Sequence, residues 1–195
     1  MSHLRYVTHP EVRIDPTVPV PAWGLDERGL KRTRAMLHQP WIPEVGRIIC
    51  SAERKALETA AVIASHLDLM PEVRPDTHEN DRSATGFLPP DEFESMADAF
   101  FAFPDTSVRG WERAVDAQAR MLDALADVIR ADDPPDHDVV VVGHGGVGTL
   151  LLCSLAGEAI DRRHDQSGAG HYFSYDLAER RLVHPWKAVD RLDPA

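Results

Sequence analysis

Short apolar runs alternate along this chain with segments whose apolar residues recur at helical spacing. Continuous short runs are typical of strands buried on both faces of a sheet, whereas recurrence at three and four residues is typical of an amphipathic helix. The runs predict strands at residues 4–8, 47–50, 73–77, 138–142, 172–177 and 181–185. The helical patterns predict helices at residues 26–38, 52–67, 91–103, 109–131 and 147–155.

Residues with strong local preferences mark the ends of several elements. Pro10 ends the first strand because proline cannot donate to a ladder. Asp26 is a suitable N-cap for the first helix, which Pro40 closes. Ser51 is expected to cap the second helix. The apolar stripe of that helix is formed by Leu57, Ala60, Ala61, Ala64 and Leu67.

The alternation of strands and helices predicts an α/β fold, a three-layer α/β/α sandwich with a mostly parallel central sheet. A length of 195 residues fits one domain over residues 1–195. Five of the six phenylalanines lie between the third and fourth strands, at Phe87, Phe93, Phe100, Phe101 and Phe103. They are expected to form a satellite hydrophobic cluster, and residues 80–112 are also expected to cover a functional site as a cap or insertion.

Composition narrows the class of partner. The chain has 21 Lys and Arg against 32 Asp and Glu, a net charge of −11, which argues against nucleic-acid or anionic-membrane binding. No apolar run approaches the ~18 residues of a spanning helix, and the N-terminus lacks a signal-peptide core. A soluble cytoplasmic protein is expected. Cys50 and Cys153 lie in apolar contexts and are interpreted as buried free thiols.

The segment VVVVGHGGVGTLLL, at residues 139–152, combines a buried strand, four glycines and His144. Its glycines match a dinucleotide fingerprint, but the match lies near the chain end and no acidic strand end follows it. A P-loop lacks its lysine here, and no serine has the surroundings of an esterase nucleophile. A strand that feeds a helix through glycines still presents backbone N–H groups to an anion. His144 and Gly145 are therefore candidate site residues.

Three segments resemble motifs of the histidine phosphatase superfamily, also called the phosphoglycerate-mutase-like fold. SAERKALETAAVIA at 51–64 is similar to the family's S-P-x-x-R-A-x-x-T-A segment, and VVVVGHGGVGTLL is similar to its second-histidine segment. GLDERGLKRTRAM at 24–36 resembles its L-T-x-x-G-x-x-Q-A helix. Thr8-His9-Pro10 stands where the family has Arg-His-Gly. The resemblance covers nearly the whole chain.

The resemblance implies hydrolysis of a phosphomonoester or phosphoprotein through a phosphohistidine on His9. Glu79 would protonate the leaving oxygen and then activate water, with Asp81 as its nearest rival. His144 would balance charge on the phosphoryl oxygens. No cofactor or metal is implied, and the expected partner is a small phosphorylated substrate or a phosphoprotein.

The basic residues near these motifs are the candidates for binding the phosphate group. The family's second arginine falls on Lys55, with Arg54 beside it, so the bidentate grip of a guanidinium is lost there. Lys55 lies away from the stripe of the second helix. Arg13 is a hypothetical source of the guanidinium that is missing at Thr8.

Other functions stay open at this point. Because the residues on both sides of His9 differ from the family pattern, the chain could instead be a phosphate-ester binding or regulatory module. Two histidines and a glutamate could also form a hydrolytic zinc site, although no H-x-H or H-x-x-x-H spacing supports one. Nothing in the sequence indicates the extra contacts of a mutase, so a phosphatase is favoured.

Overall fold

A computed structural model describes residues 2–193 of the chain. One six-stranded sheet runs through the molecule, in the spatial order β3-β2-β4-β1-β5-β6. Its strands are β1 (His3–Thr8), β2 (Val45–Cys50), β3 (Glu72–Val73), β4 (Asp138–Gly143), β5 (His171–Asp176) and β6 (Arg181–Ala188). The first four strands in chain order are mutually parallel, whereas β5 and β6 are antiparallel to their neighbours. The predicted mostly parallel sheet is confirmed.

Within residues 2–193, six helices cover the two faces of this sheet. They are α1 (Glu27–Met36), α2 (Arg54–Leu67), α3 (Pro90–Ala102), α4 (Ala114–Ala124), α5 (Ala126–Ile129) and α6 (Gly145–Ala156). One hydrophobic cluster packs α1 and α2 on Val7, Val140 and Val142, and a second packs α3 to α6 on the opposite face, on residues such as Tyr6 and Val141. The α/β/α sandwich is thus confirmed. None of the helices within residues 2–193 has the length and apolar character needed to cross a bilayer.

The segment 80–112 packs into the second of these clusters. Phe100, Phe101 and Trp111 are buried there together with residues of β1 and β4. Phe87 and Phe103 remain 40% and 61% exposed. The segment therefore continues the core on the α3–α6 face and keeps some aromatic surface outside it.

Several element predictions were wrong in detail. The helix predicted at 109–131 is broken into α4 and α5 at Leu125, and a short 3-10 turn precedes them. Only Glu72–Val73 forms a strand where 73–77 was predicted, because Pro75–Thr77 form a 3-10 turn that begins after Arg74.

The second helix differs from its prediction at its start and along its buried face. Ser51 does not cap α2, because the N-cap is Glu53, two residues later. Leu57 and Ala61 are exposed, while the buried face comprises Lys55, Ala56, Thr59, Ala60, Ile63 and Ala64. The stripe is therefore rotated toward the side of the helix on which Lys55 lies.

Candidate active site

Three neighbouring parallel strands bring three polar residues to one edge of the sheet. His9 follows β1, Ser51 follows β2 and His144 follows β4. The ladder continues past the ends of β1 and β2, since His9 N–H donates to the Gly143 carbonyl at 3.1 Å and Ser51 N–H to the Val142 carbonyl at 3.0 Å. The carboxyl edge of a parallel sheet is where α/β proteins place their sites.

The imidazole of His9 has one nitrogen fixed by the backbone. Its Nδ1 lies 2.9 Å from the Pro10 carbonyl, so Nδ1 carries the proton and the lone pair is on Nε2. Burial and the neighbouring His144 lower the pKa of His9 to about 3. The ring is therefore neutral at physiological pH, which is the form that a nucleophile requires.

His144 stands edge-on to His9, with ring centroids 5.3 Å apart. Its Nε2 lies 2.8 Å from Ser51 Oγ and 3.5 Å from Glu53 Oε1, and the carboxylate, which can only accept, favours a proton on that nitrogen. Its Nδ1 is buried and has no partner among residues 2–193. Burial lowers the pKa of His144, although Glu53 and Glu79 oppose this effect. An anion near Nδ1 would raise that pKa and be bound by the resulting imidazolium.

Tyr6 fixes the backbone of His144 from the core side. The Tyr6 hydroxyl accepts from the His144 N–H and donates to the His144 carbonyl, both at 3.1 Å. A Cβ at Gly143 would lie 2.3 Å from that hydroxyl oxygen. Glycine at 143 is thus required so that the tyrosine can approach the loop.

Lys55 and Glu53 form a buried pair beside His144. Lys55 is 3% exposed and its Nζ binds the Glu53 carboxylate and the Val20 carbonyl, the latter at 3.1 Å. Burial raises the pKa of Glu53, but His144 and Lys55 outweigh it and lower the value to about 2. Glu53 is therefore ionised, and much of the positive charge of Lys55 is already balanced.

Glu79 lies at the first turn of α6. Its carboxylate accepts from the N–H groups of Gly146 at 3.2 Å and Val147 at 3.0 Å. The anion site predicted at this helix end is thus occupied by a side chain of the protein itself. Burial raises the pKa of Glu79, but Arg82, His144 and the Val147 N–H together lower it below its ordinary value.

Thr8 stands directly before His9, where the family has arginine, and its neutral side chain is paired with that of Gln166. Thr8 Oγ1 donates to Gln166 Oε1 at 2.7 Å and accepts from the His171 N–H at 2.9 Å. A Cβ at Gly145 would lie 2.5 Å from Gln166 Nε2. Gly145 therefore makes room for the Gln166 amide next to the start of α6.

The remaining predicted site residues lie outside this group. Arg13 is exposed, and within residues 2–193 its side chain makes no hydrogen bond or ion pair. Arg54 is 65% exposed and is paired with Glu58 at 2.7 Å, one turn along α2. Asp81 Oδ1 accepts from the Ser83 N–H at 2.8 Å within its own loop. No group of three His, Cys, Asp or Glu side chains in the described part of the chain is arranged to hold a metal ion.

The fold is shared with several solved structures, two of which are described as phosphatases. Mycobacterial glucosyl-3-phosphoglycerate phosphatase with inorganic phosphate has a TM-score of 0.79 at 20% identity, with 98% of this chain and 100% of that chain covered. YhfR of Bacillus stearothermophilus has a TM-score of 0.74 at 20% identity, with 95% of each chain covered. Phosphoserine phosphatase of Entamoeba histolytica, in complex with 3-phosphoglyceric acid, has a TM-score of 0.75 at 15% identity, with 96% of this chain and 98% of that chain covered.

These similarities define the fold as the α/β phosphoglycerate-mutase-like one. The sequence profile described as "Histidine phosphatase superfamily (branch 1)" matches residues 20–176, which is most of the chain. The chain therefore belongs to the histidine phosphatase superfamily, and its class is that of hydrolases acting on phosphoric esters. A search of curated protein sequences finds no match.

Proposed function

We propose that this protein is a phosphatase that hydrolyses a phosphomonoester through a phosphohistidine on His9. The observation that best supports this is the fixed tautomer of His9, whose Nε2 lone pair is free while Nδ1 is held by Pro10 at 2.9 Å. A pKa of about 3 keeps that lone pair available at every physiological pH.

In the first step, His9 Nε2 forms a bond to phosphorus as the ester P–O bond breaks. The leaving oxygen takes a proton from the carboxyl group of Glu79. Glu79 is ionised before substrate binds, and the negative phosphoryl group raises its pKa on arrival, so the proton is taken up with the substrate. The N–H groups that bind Glu79 belong to Gly146 and Val147, which closely follow His144 in the chain. His144 follows β4, and β4 pairs with β1, the strand that His9 follows.

In the second step, water attacks phosphorus, the N–P bond breaks, and Glu79 accepts the proton of the water. His144 is expected to become an imidazolium when phosphate is present, with Nδ1 directed to a phosphoryl oxygen and Glu53 stabilising the charge at Nε2. Lys55 contributes a further positive charge beside Val20.

The substrate is proposed to be a small phosphorylated molecule or a phosphoprotein. Two of the structural relatives are described in complex with inorganic phosphate and with 3-phosphoglyceric acid, which favours the small molecule. The segment 80–112 is proposed to cover the site as a cap. A cytoplasmic location remains a prediction.

A direct test measures p-nitrophenyl phosphate hydrolysis by the wild type, His9→Ala and Glu79→Gln. We expect no activity in His9→Ala, and an acid-labile phosphoenzyme that accumulates in Glu79→Gln because the second step lacks its base. His38→Ala is the matched control, since His38 is exposed beyond the end of α1. Equal rates in the wild type and His9→Ala would rule out the phosphohistidine route.

The second candidate is a phosphate-ester binding module, favoured by the neutral Thr8–Gln166 pair where the family has arginine. It predicts that inorganic phosphate binds to the wild type and to His9→Ala while neither protein hydrolyses p-nitrophenyl phosphate.

A further inference from the structure

The site as described so far has little positive charge for a phosphate. Lys55 is paired with Glu53, and Glu79 adds a second carboxylate, so with neutral histidines these three side chains sum to a net charge of −1. A phosphoryl dianion is not bound by such a set, because phosphoryl transfer depends on charge neutralisation of the equatorial oxygens. Protonation of His144 on phosphate binding raises this sum only to zero, so at least one more cation is required to balance a phosphoryl dianion.

We infer that Arg82 is this cation and that its guanidinium binds the phosphoryl oxygens of the substrate. Arg82 would thus supply, from the segment 80–112, the arginine that is missing before His9. The inference rests on the proposed function and names a binding residue for that reaction.

The pairing of arginines across the molecule singles out Arg82. Within residues 2–193, seven arginines are partly buried, and six of them have a carboxylate within 4.0 Å of a guanidinium nitrogen. Those six are Arg5, Arg32, Arg47, Arg74, Arg120 and Arg162. Arg82 is the seventh, and its side chain has neither an ion pair nor a hydrogen bond to any described residue. No Arg82 nitrogen is among the buried unpartnered atoms of the described residues, so the guanidinium is open to solvent and free to bind an anionic ligand.

The guanidinium of Arg82 is nevertheless held in place. Its Cζ lies 5.1 Å from the centroid of the Phe93 ring and 5.6 Å from that of Trp111. Trp111 is 2% exposed and its Nε1 donates to Thr85 Oγ1 at 2.8 Å. Contact with aromatic rings orients a guanidinium and leaves its N–H groups free to grip two oxygens at once.

The backbone around Arg82 is connected to the aromatic platform formed by Phe93 and Trp111, and it lies close to Glu79 in the chain. The Arg82 carbonyl accepts from the Thr85 N–H at 3.1 Å and the Gly86 N–H at 3.0 Å. Only two residues separate Arg82 from Glu79, whose backbone N–H is bound by Glu53 at 3.0 Å. The positive charge of Arg82 also lowers the pKa of both Glu79 and His144, in keeping with a position close to these two groups.

The test compares Arg82→Met and Arg82→Lys with the wild type in two assays. Binding of inorganic phosphate and of vanadate is measured by calorimetry, and kcat and KM are measured with p-nitrophenyl phosphate. Loss of a charged bidentate contact is expected to weaken phosphate binding by roughly 10- to 100-fold in Arg82→Met. Arg82→Lys keeps the charge and loses the fork, so an intermediate loss is expected.

Arg109→Met is the matched control, because Arg109 lies in the same segment, is 58% exposed and is 3.8 Å from Glu92. Arg13→Met tests the rival source of the guanidinium. Unchanged phosphate affinity in both Arg82 variants, or a loss confined to Arg13→Met, would overturn the inference.

The two proposals can fail separately. Phosphatase activity that depends on His9 but not on Arg82 would support the proposed function and contradict this inference. Phosphate binding that depends on Arg82, in a protein without phosphatase activity, would support this inference and contradict the proposed function. A wild type that does not bind phosphate at all contradicts the inference as well. Thermal unfolding of each variant shows whether a loss of phosphate affinity comes from disturbed packing around Phe93 and Trp111. If Arg82→Met is destabilised, the phosphate affinity of Arg82→Lys, which keeps the charge, decides the outcome.

Discussion

Replacing Glu53 by glutamine removes one charge from the centre of the site and changes almost nothing in shape. The carboxylate is 9% exposed and has contacts on both oxygens. Oε2 binds Lys55, while Oε1 accepts from the Glu79 N–H at 3.0 Å and lies 3.5 Å from His144 Nε2. Glu53→Gln leaves the ammonium group of Lys55 buried without its counter-charge.

The expected cost follows from the pKa of this carboxyl group. Its pKa is about 2 in the folded protein against an ordinary 4.5. That difference corresponds to at most about 3 kcal/mol of folding free energy, because part of it comes from a protonated His144. Breaking a buried pair by removing one partner costs a similar ~3–5 kcal/mol. We therefore expect Glu53→Gln to lower the free energy of unfolding by about 3 kcal/mol.

The pH dependence gives this expectation a distinct signature. Because the folded-state pKa is depressed, the contribution of Glu53 is complete above pH 4.5 and is lost as the pH falls through about 2. The gap between the wild type and Glu53→Gln should thus shrink to about half at about pH 3. Urea denaturation with linear extrapolation, at several pH values, measures the gap.

Glu92→Gln is the control for this experiment. Glu92 is 58% exposed and its nearest cation is Arg109 at 3.8 Å, so an effect within about 0.5 kcal/mol is expected. A gap for Glu53→Gln that is equally small, or that stays constant down to pH 3, would show that Glu53 is not the stabilising anion described above.

Three further outcomes follow from the geometry of the site. Gly146→Ala places a Cβ 2.8 Å from Glu79 Oε1, so we expect kcat on p-nitrophenyl phosphate to fall about tenfold or more, with a smaller change in KM; an unchanged kcat would contradict the role of Glu79. Ser51→Ala removes the 2.8 Å partner of His144 Nε2 and should lower the free energy of unfolding by about 1–3 kcal/mol in urea denaturation, and a smaller loss would show that Glu53 alone satisfies this nitrogen. Since the pKa of His9 is about 3, its ring resonances should show no titration near pH 6.5 in NMR spectra of the ligand-free protein, and a titration at that pH would contradict burial of a neutral His9.

The positions of His9 and His144 could be predicted from the sequence because each follows a run of apolar residues that forms a parallel strand. Parallel strands end at one edge of a sheet, so two strand-end histidines are brought together by topology alone. The choice of His9 as the nucleophile and of Glu79 as the acid depended on the resemblance to the family. The contact of Glu79 with the first turn of α6 was not foreseen, because it is set by a loop and not by a periodic pattern.

The residues that sequence reasoning missed are those whose role depends on packing across the fold. Glu53 lies two residues before Lys55, and nothing in that spacing indicates that both side chains are buried against His144. Gln166 reaches Thr8 from a loop 158 positions away. For Arg82 a signal was present, since it lies close to Glu79 and the phenylalanines follow it, but those rings were interpreted as a cluster or a cap and not as a platform for a cation.

The pairing of β1 with β4 has a consequence for how this protein can diversify. Thr8 stands opposite Gly143 in the ladder, so the two histidines are held one residue beyond a hydrogen-bonded pair of central strands. Their separation is therefore a property of the sheet, and replacing the surface segments would leave it unchanged. Other parts of the chain supply the polar residues around that fixed pair, since Glu53 lies 3.5 Å from His144 Nε2 and Gln166 accepts from Thr8 at 2.7 Å. The charge that surrounds the two histidines can thus be exchanged residue by residue, while their relative geometry is inherited with the fold.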